Sequence, residues 1–169
     1  MRLYSGKVGA IASDSVKALL AASKIECSAP KEVEQDVAAV LNNYVKTEQE
    51  VGDLARDWQQ RRSLPTSEFP RLRKAAAEQK GIKTGEDTLD FLLDQVVEML
   101  LHSANVDEVY GEDHELRRVM GPIFKKHMAA DEDLEQEVRS KIKHVREGTS
   151  AWEIEYQRIR EDIRRRKGL

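Results

Sequence analysis

The chain has 169 residues, 40% of them apolar and 35% charged, with a formal net charge of −3. Aromatics at 5%, nine Gly and four Pro are too few for the flat side chains and turns of a β-sandwich or barrel, so the composition points to helices with narrow apolar stripes. No apolar run approaches a membrane span, polar residues interrupt the start MRLYSGKVGAIAS before a signal-peptide core develops, and the single cysteine has no partner for an internal disulfide, so a reducing cytoplasm is the expected setting.

The first predicted helix covers about 7–23, with Val8, Ile11, Val16, Leu19 and Leu20 at helical spacing. Cys27 follows, flanked by Glu26 and Ser28 with no cation to lower its pKa, which fits a packing or surface role. A long helix over about 31–62 carries the nearly heptad-spaced stripe Val33, Val37, Val40, Tyr44, Val51 and Trp58. A third helix over about 67–80 follows the N-cap candidates Thr66 and Ser67, with Phe69 as its apolar anchor. The series then recurs. A helix over 86–104 buries Leu89, Leu92, Leu93, Val96, Val97, Leu100 and Leu101 on one face. The next covers 112–146, where Gly121-Pro122 predicts a kink or a break. The last covers 150–167, after Thr149 and Ser150, with Glu153 spaced from Ser150 as in a capping box and Trp152 as the anchor.

This recurrence reads as an internal repeat. TSEF at 66–69 is echoed by TSAW at 149–152, and QKGI at 79–82 by RKGL at 166–169. Between them Val8, Ile11, Val16, Leu19, Leu20 and Ile25 map with a shift of 81 onto Leu89, Leu92, Val97, Leu100, Leu101 and Val106. With a shift of 83, Val33, Val37, Val40, Leu41 and Val45 map onto Leu116, Met120, Ile123, Phe124 and Met128. The expected fold is all-α, with about six helices, two of them long, in two homologous three-helix modules at 1–82 and 83–169. A module of this size buries only a modest core, so the two are expected to pack as one pseudo-symmetric unit. Two separate bundles hinged at Gly81–Gly85 are the alternative.

The stretches MRLYSGKVGAIASDSVKALL, QKGIKTGEDTLDFLLDQVVEMLLH and EGTSAWEIEYQRIREDIRRRKGL resemble the bacterial family called domain of unknown function 507, over essentially the whole chain. The resemblance implies a small cytosolic helical protein. It implies no activity and carries over no catalytic residues.

Chemistry is sparse. His102, His114, His127 and His144 form no HExxH or bridging ExxH pattern, so no metal or other cofactor is assigned. Phosphate-binding glycine loops and the G-x-S-x-G elbow are absent. Charge, by contrast, is blocked along the chain: residues 84–116 hold ten acids and no Lys or Arg. Within that block Asp87, Asp90, Asp94 and Glu98 line one helix face, a solvent face or a contact for a basic partner. Clustered cations, Arg61, Arg62, Arg71, Arg73 and Lys74, then Arg158, Arg164, Arg165, Arg166 and Lys167, are candidates for an anionic partner or nucleic acid. The negative net charge argues against a dedicated nucleic-acid domain, and cations in a last helical turn also suit the helix dipole. The expected function is therefore non-enzymatic, an adaptor or scaffold acting through protein–protein contacts or self-association as a dimer. Nucleic-acid binding by the basic third helices is the alternative, and a metal- or small-molecule-dependent enzyme the third class.

Overall fold

The computed structural model describes residues 1–142, 144, 145 and 149–167, and the side chains of all of these except 130–132 and 167. Six α-helices form among the described residues: α1 (Val8–Ala21), α2 (Pro30–Arg61), α3 (Phe69–Lys80), α4 (Thr88–His102), α5 (Asp113–Lys141) and α6 (Ser150–Lys167). Two short strands, β1 (Ile25–Glu26) and β2 (Glu108–Val109), complete the fold, which is all-α as expected. The predicted helices appear in order, within a few residues of their expected ends apart from the C-terminus of α5.

Local chemistry explains most helix ends. Three helices close in Schellman turns. Gly81 holds the left-handed position after α3, with Gly81 N–H on Glu78 and Ile82 N–H on Ala77. Ser23 after α1 and Ser63 after α2 adopt the same conformation, at φ 53° and 49°, without glycine's freedom. At the start of α5 the Glu115 carboxylate accepts the Glu112 N–H at 2.9 Å, half of a capping box. Gly111 lies just before it, where a Cβ would come within 3.1 Å of Lys24 and 3.3 Å of Leu116.

Four expectations need correction. Leu101, expected on the buried face of α4, is 48% exposed. Thr66 and Ser67 do not cap α3: they form a 3-10 turn, Thr66–Glu68, that runs directly into the helix, and Pro70 supplies the first-turn preference instead. At α6 the cap is Thr149, whose hydroxyl accepts the Trp152 N–H at 3.2 Å, so the Ser150–Glu153 box does not form. Finally, of the kink or break expected at Gly121-Pro122 the break does not occur: α5 continues through Pro122. Proline leaves the Arg118 carbonyl without its helical donor, but Arg118 and Pro122 are both exposed, so water satisfies it. The expected glycine cap at Gly168 lies outside the described residues.

The chain forms two compact units, Met1–Met128 and Ala129–Leu169. This division falls within α5, elsewhere than the repeat boundary expected at 82/83. Compactness reports where contacts are dense, whereas a repeat reports correspondence along the chain.

In the first unit the main core gathers Val8, Ile11, Val16 and Leu19 of α1 and Val33, Val37, Leu41 and Tyr44 of α2. Leu92, Leu93, Val96, Val97 and Leu100 of α4 join Leu116, Met120, Phe124 and Met128 of α5. The loops after α1 and α4 lock together over this core. Ile25 pairs with Val109 and Glu26 with Glu108 in an antiparallel ladder, Tyr110 O–H donates to Glu26 at 2.6 Å, and Lys24 bridges to Glu115 at 2.9 Å. A second, smaller cluster holds Val51 and Ala55 of α2 against Leu72, Ala76 and Ala77 of α3. The other unit has its own core of Leu134, Val138, Ile142, Tyr156 and Ile163, with Trp152 stacked on Tyr156 at 4.9 Å.

Two outcomes follow. Leu92, fully buried among four helices, leaves a cavity when cut back, so Leu92→Ala lowers unfolding free energy by about 2–5 kcal/mol in urea titration. The Lys24 hydrogen bond, then the Glu112 N–H, hold the Glu115 carboxyl below the usual 4.5. Stability from a depressed acid is present above its unfolded pKa and lost as pH falls through the folded value. The deficit of Lys24→Gln in thermal melts is therefore present at neutral pH and closes below the carboxylate range.

Candidate interaction surfaces

Asp87, in the 3-10 turn just before α4, and Asp90, Asp94 and Glu98 on α4 are all exposed, the latter three on the side away from Leu92, Leu93, Val96 and Leu100. Their environments differ. Asp94 is ion-paired to Arg117 of α5, and Glu98 lies 3.6 Å from the His102 ring one turn on. Asp87 and Asp90 have no ion-pair partner among the described residues. Both sit at the N-terminal end of α4, where the helix dipole favours negative charge.

The cationic candidates are mostly neutralised where they stand. Arg61 donates to Asp57 at 2.9 Å, Arg71 lies 3.8 Å from Glu68, and Arg62 lies over the Trp58 ring at 5.8 Å. Arg73 reaches Glu48 at 2.7 Å, while Lys74 is exposed without an ion pair among the described residues. In α6, Arg158 forks onto Glu155 at 2.6 and 3.2 Å and Arg166 reaches Asp162 at 3.1 Å. That fork pulls the Glu155 carboxyl down and the Arg158 guanidinium up. Arg164 and Arg165 are exposed and unpaired among the described residues, and the Lys167 side chain lies outside them. The first basic block belongs to one compact unit and α6 to the other.

The histidines do not converge. His127 bonds Asp14 at 2.9 Å, tying α5 to α1, and His114 lies 3.3 Å from Glu112. Among the described residues no three His, Cys, Asp or Glu side chains are placed to share a metal ion. Cys27 is half-buried, and burial, with Asp107 nearby, pushes its thiol pKa up, away from nucleophilic use. Asp36 accepts from Ser103 at 2.6 Å and Asn105 at 2.9 Å, closing the end of α4 onto α2 beside a shallow open groove along Val40, Met99 and His102.

The most organised polar site was not among the sequence candidates. Glu48 interrupts the buried stripe of α2, between Tyr44 and Val51, and its side chain is only 5% exposed. It accepts from Arg73 of α3 and from Arg2, the latter at 3.2 Å. One turn earlier Tyr44 donates to the Lys83 carbonyl at 2.9 Å and lies 3.4 Å from the Thr88 hydroxyl. Burial raises the Tyr44 pKa, keeping its O–H a donor. The available signal was an acid at a stripe position, spaced four from Tyr44 and three from Val51.

Among the described residues no helix is long and apolar enough to cross a membrane. No curated protein matches the sequence. The family model described as "Protein of unknown function (DUF507)" matches residues 1–169, the whole chain, and agrees with the resemblance read from the three sequence stretches. The chain belongs to this DUF507 family.

Proposed function

We propose that the protein is a non-enzymatic cytosolic adaptor that works through protein–protein contacts, built by duplication of a three-helix module with its boundary near residues 82/83. The element order supports duplication, because helix, short strand, long helix and shorter helix occur in that order twice. The observation that carries the functional reading is the contrast in charge satisfaction. Asp87 and Asp90 stand exposed at the start of α4 without a cation among the described residues, whereas Arg61, Arg71, Arg73, Arg158 and Arg166 are already paired. A cation held by its own carboxylate has less to offer a phosphate, and the two unpaired acids at the start of α4 suit a basic protein surface.

Arg164 and Arg165 favour one second reading, nucleic-acid binding through α6. Affinity capture from native lysate, with and without nuclease, separates the two. Under the lead reading a protein partner survives nuclease, and Asp87→Asn with Asp90→Asn weakens its capture at least about tenfold, while Arg164→Gln with Arg165→Gln leaves it unchanged. Capture abolished by nuclease, with DNA or heparin retention lost in the arginine variant, replaces the lead with the second reading.

A further inference from the structure

Two apolar clusters lie along α2, and a buried charge separates them. The main core reaches down α2 as far as Tyr44 and the partly buried Val45, and the smaller cluster under α3 begins at Val51. Between them sits Glu48, 5% exposed, where a leucine would have made the stripe continuous. Ile82, partly buried just after α3, is the apolar residue that touches both clusters.

Helix α3 lies along α2 with Phe69 partly buried against the cluster, but it fully buries fewer large side chains than α4. It buries Leu72, Ala76 and Ala77, whereas α4 buries Leu92, Leu93, Val96, Val97 and Leu100. Alanine methyls remove little apolar area from water. The polar anchors are Arg73 on Glu48 and Lys80 on Glu50 at 2.9 Å, both with cations open to solvent, the Arg73 side chain being 36% exposed. Taking Glu48 out of water offsets much of what its ion pairs return, so the contact holds α3 in register without holding it tightly. Both linkers contain left-handed residues, Ser63 at φ 49° on one side and Gly81 and Gly85 on the other. A helix of 12 residues is marginal on its own, so once detached α3 loses its hydrogen bonds.

We propose that α3 opens from α2 as a local unit while the main core stays folded, and that Glu48 sets how often it does so. Opening uncovers Val51, Leu54, Ala55 and Trp58 on distal α2, so Glu48 controls when an apolar helix face reaches solvent. The fold carries this as a strap held by a small apolar cluster and set in register by charge.

Hydrogen–deuterium exchange of the whole chain tests it, comparing amides 73–80 of α3 with amides 92–100 of α4. In the unaltered protein α3 exchanges at least about tenfold faster than α4, and the gap widens as salt rises from about 0.05 to about 0.5 M and screens the exposed cations. Arg73→Gln leaves Glu48 with one guanidinium fewer and speeds α3 exchange with α4 unchanged. Glu48→Leu joins the two clusters and slows it. Equal exchange of the two helices in the unaltered protein overturns the proposal. So does acceleration of α3 by Glu48→Leu in a variant whose circular dichroism and α4 exchange are intact.

Discussion

A single helix longer than any one core can cover governs this molecule. With 32 residues, α2 extends about 48 Å at the usual rise per residue, well beyond the reach of one small-domain core. Its apolar stripe must therefore be covered in sections by different neighbours. Proximal α2 is covered by α1, α4 and α5 around Val37 and Leu41, and distal α2 by α3 around Val51 and Ala55. The change of partner falls at Tyr44 and Glu48, where hydrogen bonds and ion pairs replace packing. Helix α5, at 29 residues, meets the same constraint, and the boundary between the compact units falls within it.

Charge follows a different logic from packing. Many ion pairs are local, three or four residues apart on one helix, as with Arg61–Asp57, Arg158–Glu155 and Arg166–Asp162. Such exposed pairs contribute little to stability, because water and salt screen them. Their larger effect is to lower the field each block projects, since a guanidinium beside its own carboxylate steers a distant phosphate weakly. The acid-rich stretch 84–116 holds no lysine or arginine for local pairing, so its relief comes from elsewhere in the fold, as when Arg117 reaches Asp94 and Lys24 reaches Glu115.

Periodicity carried most of the fold. Leu92, Val96 and Leu100 repeat at helical spacing without interruption, and the stripes of α1 and α2 are nearly as regular, so helix number and order were legible from spacing alone. Errors arose where backbone chemistry had near-equal solutions. Thr66-Ser67 and Thr149-Ser150 look alike in sequence, yet the first became a 3-10 turn running into a helix with Pro70 in its first turn and the second gave a cap at Thr149. Pro122 looked disruptive because its exposure is a property of the folded bundle. The acidic and basic rows were legible as rows, but their pairing was only partly so, because contacts such as Arg73–Glu48 join residues 25 apart. Glu48 itself was visible as an anomaly in a stripe, while the guanidinium from Arg2 was not, since nothing local connects positions 46 apart.

The small ladder joining the two loops bears on how the chain reaches this state during synthesis. Tyr110 and Glu26, bonded beside it, are 84 residues apart, and the main core needs Leu92, Leu116 and Phe124 to close over α1. An emerging chain can therefore form the α1–α2 hairpin early but must leave its Ile11, Val16 and Val37 face uncovered until about sixty further residues have left the ribosome, several seconds or more at ordinary elongation rates. Local helices forming ahead of distant closure place the barrier to folding in loop search rather than in helix formation. For that interval the nascent protein presents a bare apolar helical surface that the finished molecule hides, and its exposure to aggregation and to chaperones is concentrated there.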